Sequence, residues 1–118
     1  MYIWEKYVAT VANLYVDQGS FYRTYITVAN TDGNVLDLTG YTVASQLRKS
    51  YQTSTAYNFT TSISNPTQGR VQLQLSTEQS RVIPAGKYLY DLEVTSPTGE
   101  KTRVVEGIVL INPEITKI

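Results

Sequence analysis

Alternation of apolar and polar residues constrains this chain more than any other feature. In Arg70–Ser76, read RVQLQLS, Val71, Leu73 and Leu75 point one way, and Arg70, Gln72, Gln74 and Ser76 point the other. A period of two belongs to a β-strand with one buried and one wet face, the pattern of an antiparallel sheet solvated on one side. Lys87–Thr95 repeats the scheme, with Tyr88, Tyr90, Leu92 and Val94 inward and Lys87, Asp91 and Glu93 outward.

Weaker copies of the pattern run along the rest of the chain. Strands are expected over Ala12–Val16 (Leu14 and Val16 inward), Phe21–Asn30 (Tyr22, Ile26 and Val28 inward) and Tyr41–Lys49 (through Val43 and Leu47). Another is expected over Tyr57–Ile63, through Tyr57, Phe59 and Ile63. Lys101–Ile111 is so apolar in VVEGIVLI that it reads as covered on both faces. Turn chemistry separates these runs: Asp32-Gly33, Asn65-Pro66-Thr67-Gln68-Gly69 and Thr98-Gly99 supply the residues that tight turns need. Ser76–Ile83 alone has a helical look, with Ser76 or Thr77 as cap, Glu78 or Gln79 in the first turn, and Pro84 and Gly86 ending it.

Seven short strands at this spacing predict an all-β fold, an Ig-like antiparallel β-sandwich with one short helical corner near 76–83. The Cys–Trp–Cys signature of true immunoglobulin domains is absent, so the likeness is architectural. At 118 residues the chain has the size of one domain, able to bury roughly 65% of its unfolded surface. Residues 12–118 read as the sandwich and residues 1–11 as an N-terminal docking arm.

Several kinds of chemistry are excluded by what is missing. With no histidine, the commonest general base and transition-metal ligand is gone; with no cysteine, so are thiolate nucleophiles, disulfides and Cys-based zinc sites. Asp91 and Glu93 share one strand face about 7 Å apart, but nothing in the local sequence would perturb either, and they read as solvated charges. Lys49 adjoins Ser50, yet neighbours in a strand point to opposite faces. Asp32-Gly33-Asn34 falls far short of a calcium loop. No catalytic residue, cofactor or metal is therefore expected. Ten positive and ten negative side chains cancel, so there is no general field to attract nucleic acid or an anionic membrane, and neither is expected as a partner.

Protein binding remains. Of ten tyrosines, two phenylalanines and one tryptophan, not all can be core. With Tyr22 and Ile26 inward, Phe21, Arg23 and Tyr25 fall together on the opposite face, an aromatic–arginine stripe of the kind found at interfaces. Tyr2, Ile3, Trp4 and Tyr7 precede the first clear strand, and four such side chains are expected to dock on a neighbouring subunit rather than face water.

Several distinctive runs follow one another along the chain. They are Asp17-Gln18-Gly19-Ser20-Phe21, Asp32-Gly33-Asn34-Val35-Leu36-Asp37-Leu38-Thr39-Gly40-Tyr41 and Gln46-Leu47-Arg48-Lys49-Ser50. Pro84-Ala85-Gly86-Lys87-Tyr88-Leu89-Tyr90-Asp91-Leu92-Glu93 and Val105-Glu106-Gly107-Ile108-Val109 continue the series. Taken in order, these runs resemble small bacteriophage virion proteins and the Ig-like N-terminal domain of phage upper-baseplate proteins. The resemblance spans roughly Ala12 to Glu114 and leaves MYIWEKYV unmatched. It implies a non-enzymatic structural subunit of a virion assembled in the host cytoplasm, in tail or baseplate, present in multiple symmetric copies and touching other virion proteins. A capsid decoration protein of the same fold is the first alternative, and a glycan-binding adhesin module the second.

Overall fold

The computed structural model describes residues 10–30 and 32–117, so Tyr2, Ile3, Trp4 and Tyr7 lie outside the described residues. The alternating segments fold as two packed sheets, an all-β sandwich. Its strands are β1 (Thr10–Val11), β2 (Leu14–Asp17), β3 (Tyr22–Thr27), β4 (Thr42–Arg48), β5 (Tyr57–Asn58), β6 (Thr60–Asn65), β7 (Arg70–Leu75), β8 (Gly86–Thr95) and β9 (Lys101–Asn112). One short helix, α1 (Thr77–Arg81), lies between β7 and β8. The larger sheet has the order β1-β9-β8-β4-β5, with β2 following β1 along β9, and the smaller has the order β3-β7-β6. Both β1 and β2 pair with β9 in parallel; the other pairings are antiparallel. Among the described residues, Thr10–Val11, within the segment read from sequence as the arm, already pairs with β9.

Two sequence segments divide differently from expectation. Tyr57–Ile63 serves both sheets: β5 pairs with β4, the chain crosses at Phe59, and β6 pairs with β7. Phe59 is buried at the crossing, its N–H donates to the Ser45 carbonyl, and the Thr61 hydroxyl donates to the Val43 carbonyl. An inward period that continues in phase across a sheet change hides the change. At the other seam, Gly107 lets the Ala12–Asn13 bend cross β9, because a Cβ there would collide with the Ala12 carbonyl. The Asn13 side chain accepts from the Ile108 N–H at 3.1 Å and takes over where the ladder is interrupted.

The core follows the alternation. Val71, Leu73 and Leu75 from β7 meet Tyr88, Tyr90, Leu92 and Val94 from β8, all buried, and each aliphatic side chain so enclosed contributes about 1.5–3 kcal/mol. An aromatic series bridges the sheets: Tyr22 lies 6.4 Å from Phe59, and Phe59 lies 6.1 Å from Tyr90, edge to face. Tyr90 reaches further, donating its hydroxyl to the Ala12 carbonyl at 2.6 Å, and burial pushes its phenol up to about 12.

The helical corner carries the chain from the smaller sheet to the larger. Ser76 caps α1 and Gln79 completes a capping box, each side chain bonding the other's backbone N–H. Tyr88 donates to the Pro84 carbonyl four residues back at 2.6 Å, the tyrosine-corner bond of immunoglobulin-type sandwiches. Ser80, fully buried, accepts from the Gly19 N–H at 3.0 Å and donates to the Ser20 carbonyl at 2.8 Å, fastening the β2–β3 turn beneath the helix. Gln18 ties that turn to the Ile83 carbonyl and to the Glu114 N–H.

Candidate interaction surfaces

The smaller sheet presents one expected surface. The side chains of β3 alternate strictly, so Arg23 and Tyr25 stand on its outer face with Phe21 just before them; Phe21 is 52% and Tyr25 43% exposed. Arg23 lies 5.0 Å over the Phe21 ring and is steadied by Gln74 on β7, while Arg70 lies 4.3 Å over the Tyr25 ring. Phe21, Arg23 and Tyr25 are thus brought together as one solvent-facing row, with two guanidinium groups already set against aromatic faces.

The outer face of the larger sheet is concave. An open trough of about 780 Å³ crosses it from Val11 and Asn13 on one rim to Tyr51 and Asn58 on the other. Its floor combines an apolar row, Ile108 and Leu89, with a charged row centred on Arg103. Arg103 donates to Asp91 at 3.1 Å and to Glu106 at 3.3 Å. Desolvation alone would lower the guanidinium, but the charges and hydrogen bonds of the two carboxylates outweigh it and hold it above its ordinary value.

A β-bulge makes this cluster possible. Leu92 pairs with Val105 and Glu93 with Arg103, which leaves Val104 as an extra residue. Residues 103 and 106 would fall on opposite faces of a regular strand; the bulge puts them on the same face and buries both Val104 and Val105. The adjacent Val104-Val105 pair is the signal for this in the sequence. The apolar end of the strand is also settled: Ile108 and Leu110 face outward, and Leu110 is 36% exposed. β9 is therefore not enclosed on both faces, in contrast to the reading of its sequence. Tyr15, opposite Leu110 across the β2–β9 pairing, is 67% exposed on the same side, as the Leu14/Val16 alternation implies.

Three of the residues weighed for catalysis have structural partners. Asp91 is held by Arg103. Ser50 shares a hydrogen bond with Thr53, whereas Lys49 lies 4.5 Å over the Tyr88 ring, so the two point apart. Among the described residues, no group of three or more Asp, Glu, His or Cys is placed to hold a metal ion. The distinctive Leu36–Tyr41 run is a loop determinant: Asp37 accepts from the Thr39 N–H and hydroxyl, Leu38 is fully buried, and Gly40 takes a positive φ of 81°. Those two bonds hold the Asp37 carboxyl below its ordinary value.

No family model and no curated protein matches the chain. Among solved structures it is similar to an internalin-like protein of Listeria monocytogenes, at 11% identity and TM-score 0.43 over 88% of this chain and 28% of that one. It is also similar to a 2,6-sialyltransferase of the Vibrionaceae member Photobacterium sp. JT-ISH-224, at 10% identity and TM-score 0.38 over 89% of this chain and 18% of that one. The chain spans less than a third of either protein. Neither is a phage protein, and likeness at this level transfers nothing of what they do.

Proposed function

We propose that the chain is a structural subunit of a bacteriophage virion, in the tail or baseplate, acting through protein–protein contacts. The observation that carries the reading is the solvent-facing row Phe21, Arg23 and Tyr25 on the outer face of a sheet whose β3 edge is unpaired among the described residues. Aromatic and arginine side chains are the groups that anchor protein interfaces. An open strand edge offers backbone groups to a partner. The resemblance of the chain from Ala12 to Glu114 to small virion proteins supports the same reading. In this view, Tyr2, Ile3, Trp4 and Tyr7 add a second anchor at the N-terminus.

The test is complementation of a phage lacking the gene. The Phe21→Ala/Tyr25→Ala double variant and a chain lacking residues 1–7 are each expected to fold but to be missing from purified particles. Incorporation of both at the parental level refutes the reading. Separate recovery of emptied heads and detached tails distinguishes a tail subunit from a capsid decoration protein.

A further inference from the structure

Among the described residues the two sheets have four edges, and three are blunted. The β1/β2 edge is interrupted at Ala12–Asn13. β5 is two residues long, and the chain that crosses at Phe59 covers the edge of β4 beyond it. β6 carries a bulge between Ile63 and Asn65. The β3 edge differs: six residues pair with β7 in unbroken register, without a bulge, a proline or a lysine. Proteins that stay monomeric usually protect such an edge with one of those devices.

The backbone groups that this edge turns away from β7 follow from the ladder. The Val28 N–H donates to the Gly69 carbonyl, so even-numbered residues of the strand bond towards β7. The N–H and C=O groups of Arg23, Tyr25 and Thr27 therefore point away from the sheet, along the same segment whose side chains form the exposed row.

We propose that this edge pairs with the same edge of a second copy, β3 against β3, antiparallel about a two-fold axis at Thr24. The proposal rests on the assembly reading above and names the partner of that surface. The occupant is argued from self-complementarity. Pairing through the outward groups of odd-numbered residues permits only a few registers. One sets Arg23 directly against the partner's Arg23, a like-charge contact. Centring on Thr24 sets each Arg23 against the partner's Tyr25, giving two reciprocal cation–aromatic contacts, and Phe21 against the partner's Thr27. Ten positive and ten negative charges leave no net repulsion between copies. Two three-stranded sheets become one of six. An isolated strand edge is a small interface, so the pair is weak in free solution and strengthened where many copies are held together.

The chain has no cysteine, so introduced cysteines report the register directly. At the two-fold, Thr24 faces the partner's Thr24 at a non-hydrogen-bonded position with Cα atoms about 4.5 Å apart, within disulfide reach. Thr24→Cys is expected to form a disulfide-linked dimer on mild oxidation, and Arg23→Cys and Tyr25→Cys are expected to remain monomeric. Sedimentation of the parental chain should show a concentration-dependent monomer–dimer equilibrium. Tyr25→Arg should weaken it about 30-fold or more, and Arg23→Glu added to Tyr25→Arg should restore it through opposite charges. Far-ultraviolet circular dichroism checks that each variant folds. A chain that neither self-associates nor cross-links overturns the proposal, while leaving the particle-incorporation test of the assembly reading unaffected. A dimer linked through Tyr25→Cys rather than Thr24→Cys also overturns it. So does a dimer that survives Tyr25→Arg but is lost on removing residues 1–9, because a terminal arm would then occupy the edge.

Discussion

Replacing Ser80 with alanine measures how far one buried hydroxyl holds the end of the sandwich together. Ser80 Oγ accepts from the Gly19 N–H and donates to the Ser20 carbonyl, with the Thr77 carbonyl 3.2 Å away. The first two bonds join α1 to a turn some sixty residues earlier. Each such bond contributes about 1 kcal/mol net, so losing both removes about 2 kcal/mol. Alanine regains about 0.4 kcal/mol through its better helix propensity. The expected net loss is about 1.5 kcal/mol. An unfolding entropy of about 2.1 cal/mol/K per residue gives about 0.25 kcal/mol/K for this chain, hence a fall of about 6 °C in Tm. Differential scanning calorimetry reads the shift, and amide exchange should show that the Gly19 N–H has lost protection. Exposed Ser64, bonded to the Arg70 carbonyl at 3.3 Å, serves as control, and Ser64→Ala should stay within about 0.5 kcal/mol of the parent. An unchanged or higher Tm for Ser80→Ala would mean that helix propensity outweighs the tie, and would refute the reasoning.

Gly107→Ala should destabilise by about 2–3 kcal/mol, since the added methyl meets the Ala12 carbonyl and displaces the acceptor of the Tyr90 hydroxyl; urea titration checks this, and a change below about 0.5 kcal/mol would contradict the close approach at that seam. Burial raises the phenols of Tyr22, Tyr88 and Tyr90, the last to about 12. Because the folded values lie above the unfolded one, the contribution of these phenols to stability is constant below pH ~10 and falls as pH rises towards 12, where only the unfolded phenols ionise freely. Absorbance at the phenolate band should therefore show late-titrating tyrosines that join the rest in urea, and Tyr90→Phe should reduce the alkaline loss.

Where one period governed a segment, the sequence was readable to the residue. Val71, Leu73, Leu75, Tyr88, Tyr90, Leu92 and Val94 are buried as alternation requires, and Ser76 and Gln79 cap the corner they announce. Phe21, Arg23 and Tyr25 were found by the same rule, because only a phase was needed to place them. The rest depended on contacts between distant residues. Phe59 is apolar whether its strand stays in one sheet or changes sheet, so the crossing leaves no local mark. The parallel pairing of β2 with β9 joins segments about a hundred residues apart. Arg103 escaped notice because a single extra residue, Val104, reversed the phase of β9 and turned three scattered charges into one cluster.

The parallel seam gives the sandwich a mechanical axis. Thr10 lies opposite Val105, while Asn112 at the end of β9 lies opposite Asp17, so Thr10 and Asn112 stand at opposite poles of the parallel seam. A pull on those two poles slides β1 and β2 along β9 instead of peeling them away. The paired residues from Thr10 to Asp17 then resist in shear and must give way together, not one after another as in an unzipping hairpin. Tension applied between those two poles is therefore met by hydrogen bonds that are loaded together.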